Sequence, residues 1–330
     1  MATILDVAAL AEVSTATVSR VLNNTGFVDP VLVERVKDAV KTLKYQPNLV
    51  ARAFRTQATA VIALVIPDIE NQFFTSICRG LEDAANSAGY SVMICNTDED
   101  LEKENQYLSM LASQNVAGIV ISPVSSKYTN IQNVLDRNIR VVSVGRTLPT
   151  VADSVHVDNR KGGRIATEHL IKSGYKNIAC VTGDKGTSSA EERLLGYQDA
   201  LSEAGFEKNS KYQIYSDFKD QGGYNAVMKL MSLPNKPDAI FVTNNRMTAG
   251  GFQALKELNV DIPKDVGLIG FDEIPWGEIV TPSVSTVSQP TRQMGMAAAK
   301  KLLSRLTGED SDAEEILFQP EIIIRESSRK

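Results

Sequence analysis

Ser14-Thr15-Ala16-Thr17-Val18-Ser19-Arg20-Val21-Leu22-Asn23 decides how this chain is read. Ser14 offers a helix-capping oxygen, and Val18, Val21 and Leu22 recur at helical spacing, so they turn inward. The opposite face carries Thr15, Ala16, Thr17, Ser19 and Arg20: small or hydrogen-bonding side chains, then one cation. Small residues let a helix sit deep in a DNA major groove, and arginine can grip guanine O6 and N7 with both prongs. Upstream, Thr3 caps an expected helix over Ile4–Ala11 whose Val7, Ala8 and Ala11 share a face, with Asp6 at the positive end of its dipole. Glu12-Val13 forms a tight connection. Downstream, Asp29-Pro30 starts a third helix, with Val33, Val36, Val40 and Leu43 as its apolar stripe.

Three such helices also suit a plain bundle with polar surfaces, and the charge distribution favours the nucleic-acid reading. Residues 1–60 hold seven basic residues (Arg20, Arg35, Lys37, Lys41, Lys44, Arg52, Arg55) and five acids (Asp6, Glu12, Asp29, Glu34, Asp38). The whole 330-residue chain carries −5, so the positive excess of +2 is confined to the end that would meet phosphate.

The ordered run Asp6-Val7-Ala8, Val13-Ser14, Thr17-Val18-Ser19-Arg20-Val21-Leu22-Asn23, Tyr45-Gln46-Pro47-Asn48 and Ala51-Arg52 resembles the lactose/galactose repressor (LacI/GalR) family of bacterial transcription regulators. The resemblance implies that Thr15 and Ala16 read bases and that Thr17 and Arg20 add phosphate or base contacts. It places Thr3, Ser14, Ser19, Asn23, Tyr45, Asn48, Ala51, Arg52 and Phe54 in the same DNA-binding set. Residues 47–59 then resemble the family's hinge: Pro47 stops the third helix, and Asn48 caps a short helix over Leu49–Arg55. A helix this short is marginal alone, so it is expected to order only against DNA and its twin. Family members wedge a leucine from this helix into the minor groove. Here the matching residue is Phe54, a departure that still supplies an apolar wedge; the competing reading makes Phe54 a cap on the core domain.

Beyond residue 60 apolar strands alternate with amphipathic helices. Strands are expected at Val61–Pro67, Tyr90–Asn96, Ala117–Ser122 and Val141–Gly145, with helices at Phe73–Ala88, Glu102–Gln114 and Thr129–Arg137. The series begins again with strands Ile178–Thr182, Gln213–Tyr215, Ala239–Thr243 and Val266–Phe271, separated by helices Ser189–Ala204, Gly222–Met231 and Thr248–Leu258. Continuous apolar strands between helices mean parallel sheets buried on both faces, and two series mean two doubly wound lobes. Ligands of such sheets bind beyond the strands' carboxyl ends, and the crevice between lobes is the natural place. The expected class is an all-α helix-turn-helix domain (1–46) joined to an α/β core like the periplasmic sugar-binding proteins (60–330). The family arrangement implies three crossings between lobes, near residues 157, 286 and 317.

The effector candidates sit at strand ends. Asp68, Asn71, Phe73 and Phe74 follow the first strand; one of the two rings is expected to stack on a sugar face and the other to join the core. Arg146 ends the fourth strand, where family members often have Asp-Arg and this chain has Gly145-Arg146, so one carboxylate contact is missing. Asp158 lies at the first crossing and serves either ligand or hinge. The resemblance makes Arg193, Phe218, Asn244 and Asp272 pocket residues. Trp276 either closes the rim or packs the core. Arg146 with Arg193 points to an anionic effector, such as a sugar acid or sugar phosphate, beside the neutral-sugar alternative.

Enzyme chemistry finds no foothold. His156 and His169 lack metal-ligand spacing, and Gly183-Asp184-Lys185-Gly186-Thr187 lacks the full P-loop pattern. No cofactor or metal is called for. Cys78, Cys95 and Cys180 are scattered in apolar contexts, as in a reduced cytoplasmic protein. No run of about 18 apolar residues suggests a membrane span, and no secretion leader is recognisable. The remaining alternative is a sugar-binding module or enzyme with an incidental helical appendage. The favoured expectation is a homodimeric repressor that binds a palindromic double-stranded operator and answers to a carbohydrate-like effector. Ile322–Lys330 reads as a last strand and polar tail without leucine heptads, so tetramers are not expected.

Overall fold

The computed structural model describes residues 4–23, 28–43, 59–207, 209–308 and 312–330. The chain divides into two compact units, Met1–Thr59 and Ala60–Lys330. In the first, α1 (Ile4–Leu10), α2 (Thr15–Asn23) and α3 (Pro30–Thr42) enclose Val7, Ala8, Ala11, Val18, Val36 and Ala39. The third helix begins as its sequence dictates: Asp29 accepts from the Val31 amide at 2.8 Å, and Pro30 takes the first helical position. Val36 of the expected stripe is buried, whereas Val33, Val40 and Leu43 remain half-exposed. Ala39 is buried beside Val36.

The second unit holds two sheets of one design. The first lobe contains β1 (Val61–Ile66), α4 (Gln72–Ser87), β2 (Ser91–Asn96), α5 (Leu101–Ser113), β3 (Gly118–Ile121), α6 (Gln132–Leu135), β4 (Arg140–Val144) and β5 (Asp153–Val157). The second lobe contains α7 (Asn159–Lys172), β6 (Ile178–Thr182), α8 (Ser188–Glu203), β7 (Gln213–Tyr215), α9 (Asp220–Met231), β8 (Ala239–Val242), α10 (Asn245–Glu257), β9 (Gly267–Phe271) and β10 (Ser285–Ser288). The chain then returns for α11 (Thr291–Leu306) and β11 (Glu315–Phe318) of the first lobe and finishes with β12 (Glu321–Ile323) in the second. Strand orders are β11-β5-β4-β3-β1-β2 and β12-β10-β9-β8-β6-β7. All neighbours are parallel except β10 and β12. In each lobe the order reverses beside the first strand, β1 or β6, which leaves a crevice at its carboxyl end.

The crossings fall at residue 158, at 289–290 and at 319–320. The last two come later than the sequence reading placed them. Strand β10 completes the second sheet before the chain leaves, and β11 stays paired with β5 until Phe318 meets Val157. The helix expected over Thr129–Arg137 shrinks to one turn, since the Thr129 hydroxyl donates to buried Glu104 at 2.6 Å and holds that segment in a loop. The supposed polar tail is packed: Ser327 Oγ donates to the Leu268 carbonyl at 2.6 Å, and Ser327 and Ser328 are buried. Cys95 and Cys180 are buried, Cys78 is half-buried, and all three are free.

Reciprocal glycines bring α7 and α8 together. A Cβ on Gly163 would stand 2.1 Å from the Arg193 carbonyl oxygen, and one on Gly196 2.0 Å from that of Arg160. Only a missing side chain permits this approach, which seats Arg193 of α8 against Asn159 of α7. Gly163→Ala is therefore expected to cost about 1–3 kcal/mol, since backbone cannot yield as a side chain does. Gly251→Ala, where the nearest atom is a Val227 methyl at 3.0 Å, is expected to cost less. Equal denaturation midpoints for the two variants would contradict the tight crossing.

Candidate functional site

In the N-terminal unit Ser14 and Thr17 form a local cap. Ser14 Oγ accepts from the Thr17 amide at 3.1 Å and lies 2.9 Å from the Thr17 hydroxyl. Thr17, expected on the open face, is consequently half-buried, while Thr15, Ala16 and Arg20 are exposed. Val18 below them is wholly buried, so the outward row rides on a fixed helix. Thr3, Tyr45, Asn48, Ala51, Arg52 and Phe54, with the hinge helix expected over Leu49–Arg55, lie outside the described residues. So do the side chains of Ser19 and Asn23.

In the core a cavity of about 240 Å³ opens between the lobes beyond the carboxyl ends of their strands. It is lined by Asp68, Asn71, Phe73, Phe74, Arg146, Arg193, Phe218, Asn244 and Asp272, nine of the eleven expected effector residues. Asp158 is not among them; at the first crossing it caps α7, accepting from the Lys161 amide at 2.9 Å. Trp276 is absent as well. It packs beside Phe252, ring centroids 5.9 Å apart, because the loop after β9 turns it toward the second lobe's core.

At the cavity floor Arg193 is 5% exposed. Its Nε donates to Asn159 Oδ1 (2.8 Å), its Nη1 to the Thr243 carbonyl (2.6 Å), and its plane lies 3.6 Å from the Phe271 ring centroid. Nη1 also stands 3.8 Å from Asp272 Oδ2. Burial pulls the Arg193 guanidinium down to about 10, opposed by Asp272. Burial likewise pushes the Asp272 carboxyl upward, against the pull of Arg193 and a hydrogen bond from Gln289 Nε2. This buried pair touches two crossing segments, since Asn159 follows the first and Gln289 opens the second.

Arg146, which together with Arg193 raised the anionic alternative, is held bidentately by Glu99 (2.6 and 2.8 Å) and donates to the Pro123 carbonyl at 3.1 Å. Its guanidinium faces the Phe218 ring of the other lobe at 4.9 Å. Phe218 adopts a positive φ of 63°, and Asn244 Nδ2 fixes its carbonyl at 2.9 Å. Asn244 spends its oxygen capping α10 through the Met247 amide. The absent carboxylate at Gly145 suits its backbone and surroundings: its φ is +71°, and a Cβ there would come 3.1 Å from the Phe73 ring, which would have to shift by a few tenths of an ångström. Phe73 is half-buried, and Phe74 is buried in the first lobe's core, its ring edge-on to Phe73 at 4.9 Å.

Sequence reading missed Glu70, Asp98, Glu99, Asp217, Lys219 and Arg246, all of which line the cavity. Asp98, Glu99 and Asp217 just follow β2 and β7, so the strand-end rule applied to every strand would have found them. Counted together, the lining has six carboxylates (Asp68, Glu70, Asp98, Glu99, Asp217, Asp272) against four cations (Arg146, Arg193, Lys219, Arg246). In the glycine-rich stretch first compared with a phosphate loop, the Gly186 amide donates to Glu191 Oε1 at 2.9 Å. Among the described residues no cluster of His, Cys, Asp and Glu is arranged to hold a metal, and no helix is long and apolar enough to cross a membrane.

A helix-turn-helix unit joined to a two-lobed core with a polar interlobe cavity is the build of a ligand-controlled DNA-binding regulator. Comparison with known families makes this specific. The model for bacterial regulatory proteins of the lacI family matches residues 3–48, and that for periplasmic binding proteins and the sugar-binding domain of the LacI family matches residues 59–326. The chain belongs to the LacI family of transcriptional regulators. It is 36% identical over 327 residues to the HTH-type transcriptional regulator RegA of Clostridium saccharobutylicum, covering 98% of each chain. It is 34% identical to the PurR repressor of Aliivibrio salmonicida, with full coverage of both, and 32% identical to the ribose operon repressor of Escherichia coli, covering 99% of this chain and all of the relative. Among solved structures, the transcriptional regulator CelR in complex with cellobiose aligns with a TM-score of 0.75 at 30% identity, covering 99% of this chain and 100% of that one. The lac repressor dimer bound to operator and an anti-inducer shares the fold, with a TM-score of 0.84 at 23% identity and 99% coverage of each chain.

Proposed function

We propose that this regulator represses transcription as a homodimer on a two-fold operator and is controlled by a neutral, hydroxyl-rich small molecule in the interlobe cavity. One observation carries the effector class: each cavity arginine is already committed to carboxylates, and the lining has more acids than bases. A phosphate or carboxylate entering there would meet net negative charge and displace an existing ion pair. A sugar needs no counter-charge; its hydroxyls can engage the open valences of Asp272, Arg193 and Asn244, and its apolar face can lie on Phe73. The cellobiose bound to the CelR relative supports the same class.

Binding at Arg193 and Asp272 pulls on Asn159 and Gln289, hence on two of the three strands of chain that join the lobes. Ligand contact then changes lobe closure, and residues 47–59 carry that change toward the DNA-binding unit. Such coupling requires the effector to prefer one state, typically by about 1–3 kcal/mol. A thermal-shift screen tests the reading with neutral mono- and disaccharides, sugar acids and sugar phosphates. At about 100 times its Kd, an effector adds about 2.7 kcal/mol of stability. Several neutral sugars or one alone should raise the Tm, and the acids and phosphates should not. Stabilisation by a sugar phosphate but by no neutral sugar would overturn the assignment.

A further inference from the structure

We propose that Arg246 is an ionic latch across the cavity mouth, a positioning residue that sets how readily the lobes part. It stands in the first turn of α10, in the second lobe, with its side chain 23% exposed. Nε donates to Asp220 Oδ2 at 2.8 Å, and Nη2 donates to the same oxygen, so one edge of the fork is anchored within its own lobe. Nη1 reaches across to the first lobe, donating to Asp68 Oδ2 at 2.8 Å and to Glu70 Oε2 at 3.2 Å. A planar fork held on one edge presents the other edge pre-aimed, so little side-chain freedom is lost when the lobes meet. Lysine, a point charge on a flexible stem, would not do this.

The neighbouring interlobe hydrogen bonds are neutral, although Lys219 of the second lobe also attracts Asp98 of the first and Arg146 faces the Phe218 ring. Asn245 Nδ2 donates to Asn71 Oδ1 at 2.9 Å, the Ser126 amide to the Gly186 carbonyl at 3.0 Å, and the Thr147 amide to Ser188 Oγ at 3.0 Å. Arg246 therefore brings to the closed mouth a charge-assisted term that dissolved salt can weaken. Asp68 and Glu70 follow β1 in the loop that also places Asn71 and Phe73, so the latch holds the ligand-facing loop as well as the lid. Its value to the protein rests on the cavity being the effector site; the contact itself is tested without any effector.

The test uses the full chain with Ser189→Cys, a reporter thiol on the buried cavity wall, and follows its reaction with 5,5′-dithiobis(2-nitrobenzoate). Native thiols form a slow background, measured in the parent chain, because burial pushes Cys95 up to about 11 and raises Cys78 and Cys180 too. Adding Arg246→Gln should speed the reporter reaction roughly tenfold, the scale of one charge-assisted hydrogen bond. Asp68→Asn should speed it as well: its remaining oxygen can still accept from the Glu70 amide, now 2.9 Å away, so the loop is preserved if Arg246→Gln misfolds. Raising salt from about 0.1 M to about 1 M shortens the Debye length from about 10 to about 3 Å and should speed the latched protein severalfold and Arg246→Gln much less. Equal reporter rates with and without the latch, or an unchanged salt response in Arg246→Gln, would overturn the proposal. Neither result would bear on which sugar binds.

Discussion

Arg193→Ala is expected to abolish the effector response and to destabilise the core by about 3–5 kcal/mol, the cost of leaving a buried charge without its partner. The side chain is 5% exposed, and three groups depend on it: Asp272, the Thr243 carbonyl and Asn159 Oδ1. After truncation Asp272 keeps only the Gln289 amide among its side-chain partners. For a domain of this size about 1 kcal/mol moves the Tm by about 2–4 °C, so a fall of roughly 6–20 °C is expected. The pH dependence has a definite sign. Burial already raises the Asp272 carboxyl in the folded state, and removing Arg193 raises it further. A raised carboxylate pKa penalises folding above that pKa, and the penalty vanishes as pH falls below the unfolded value of about 3.9. The deficit of Arg193→Ala against the parent should therefore narrow as pH is lowered. Adding Asp272→Asn should recover part of the stability and none of the effector response. A variant that melts with the parent would show that the pair does not hold the cavity floor together.

The lobes were legible from sequence wherever strands are solidly apolar. Val61–Ile66, Ile178–Thr182 and Ala239–Val242 were each placed to within a residue, because a strand buried on both faces leaves an unbroken apolar run. The elements that escaped have reasons of their own. Strand β5 alternates between buried and half-exposed residues, and helices α7 and α11 carry Gly162-Gly163 and Gly295. Those glycines weaken the local helix signal, yet Gly163 and Gly295 are required where helices touch backbone to backbone. The cavity was legible as a set of positions and illegible as an electrostatic environment. The ion pairs of Arg146 with Glu99 and of Arg193 with Asp272 join residues 47 and 79 apart in sequence, so no local pattern announces them. Only the assembled sheets bring them together, and that pairing weighs against the anionic alternative and in favour of the neutral one.

Arg20→Ala should remove most of the specificity for DNA while leaving the fold intact. Arg20 is exposed on α2, whose inward anchor is Val18, so truncation opens no cavity. An arginine bidentate to guanine is worth about 1–3 kcal/mol of discrimination, and a homodimer presents it twice, giving roughly 2–6 kcal/mol, or at least about 30-fold in operator affinity. A phosphate contact would behave differently. Phosphate carries no sequence information, so its loss weakens operator and random duplex alike and lowers the salt slope by about one per contact. Gel-shift titrations of parent and variant on a two-fold operator and a random duplex, each at several salt concentrations, separate the two. Base reading predicts that operator affinity falls toward that of random DNA, while random-DNA affinity changes far less. A parallel fall on both duplexes would assign Arg20 to the backbone and leave Thr15 and Ala16, the other exposed residues of the helix among those whose side chains are described, as the base readers. Either result turns on α2: the small side chains at its amino end permit close approach to the groove floor, and the arginine follows one turn later on the same exposed face.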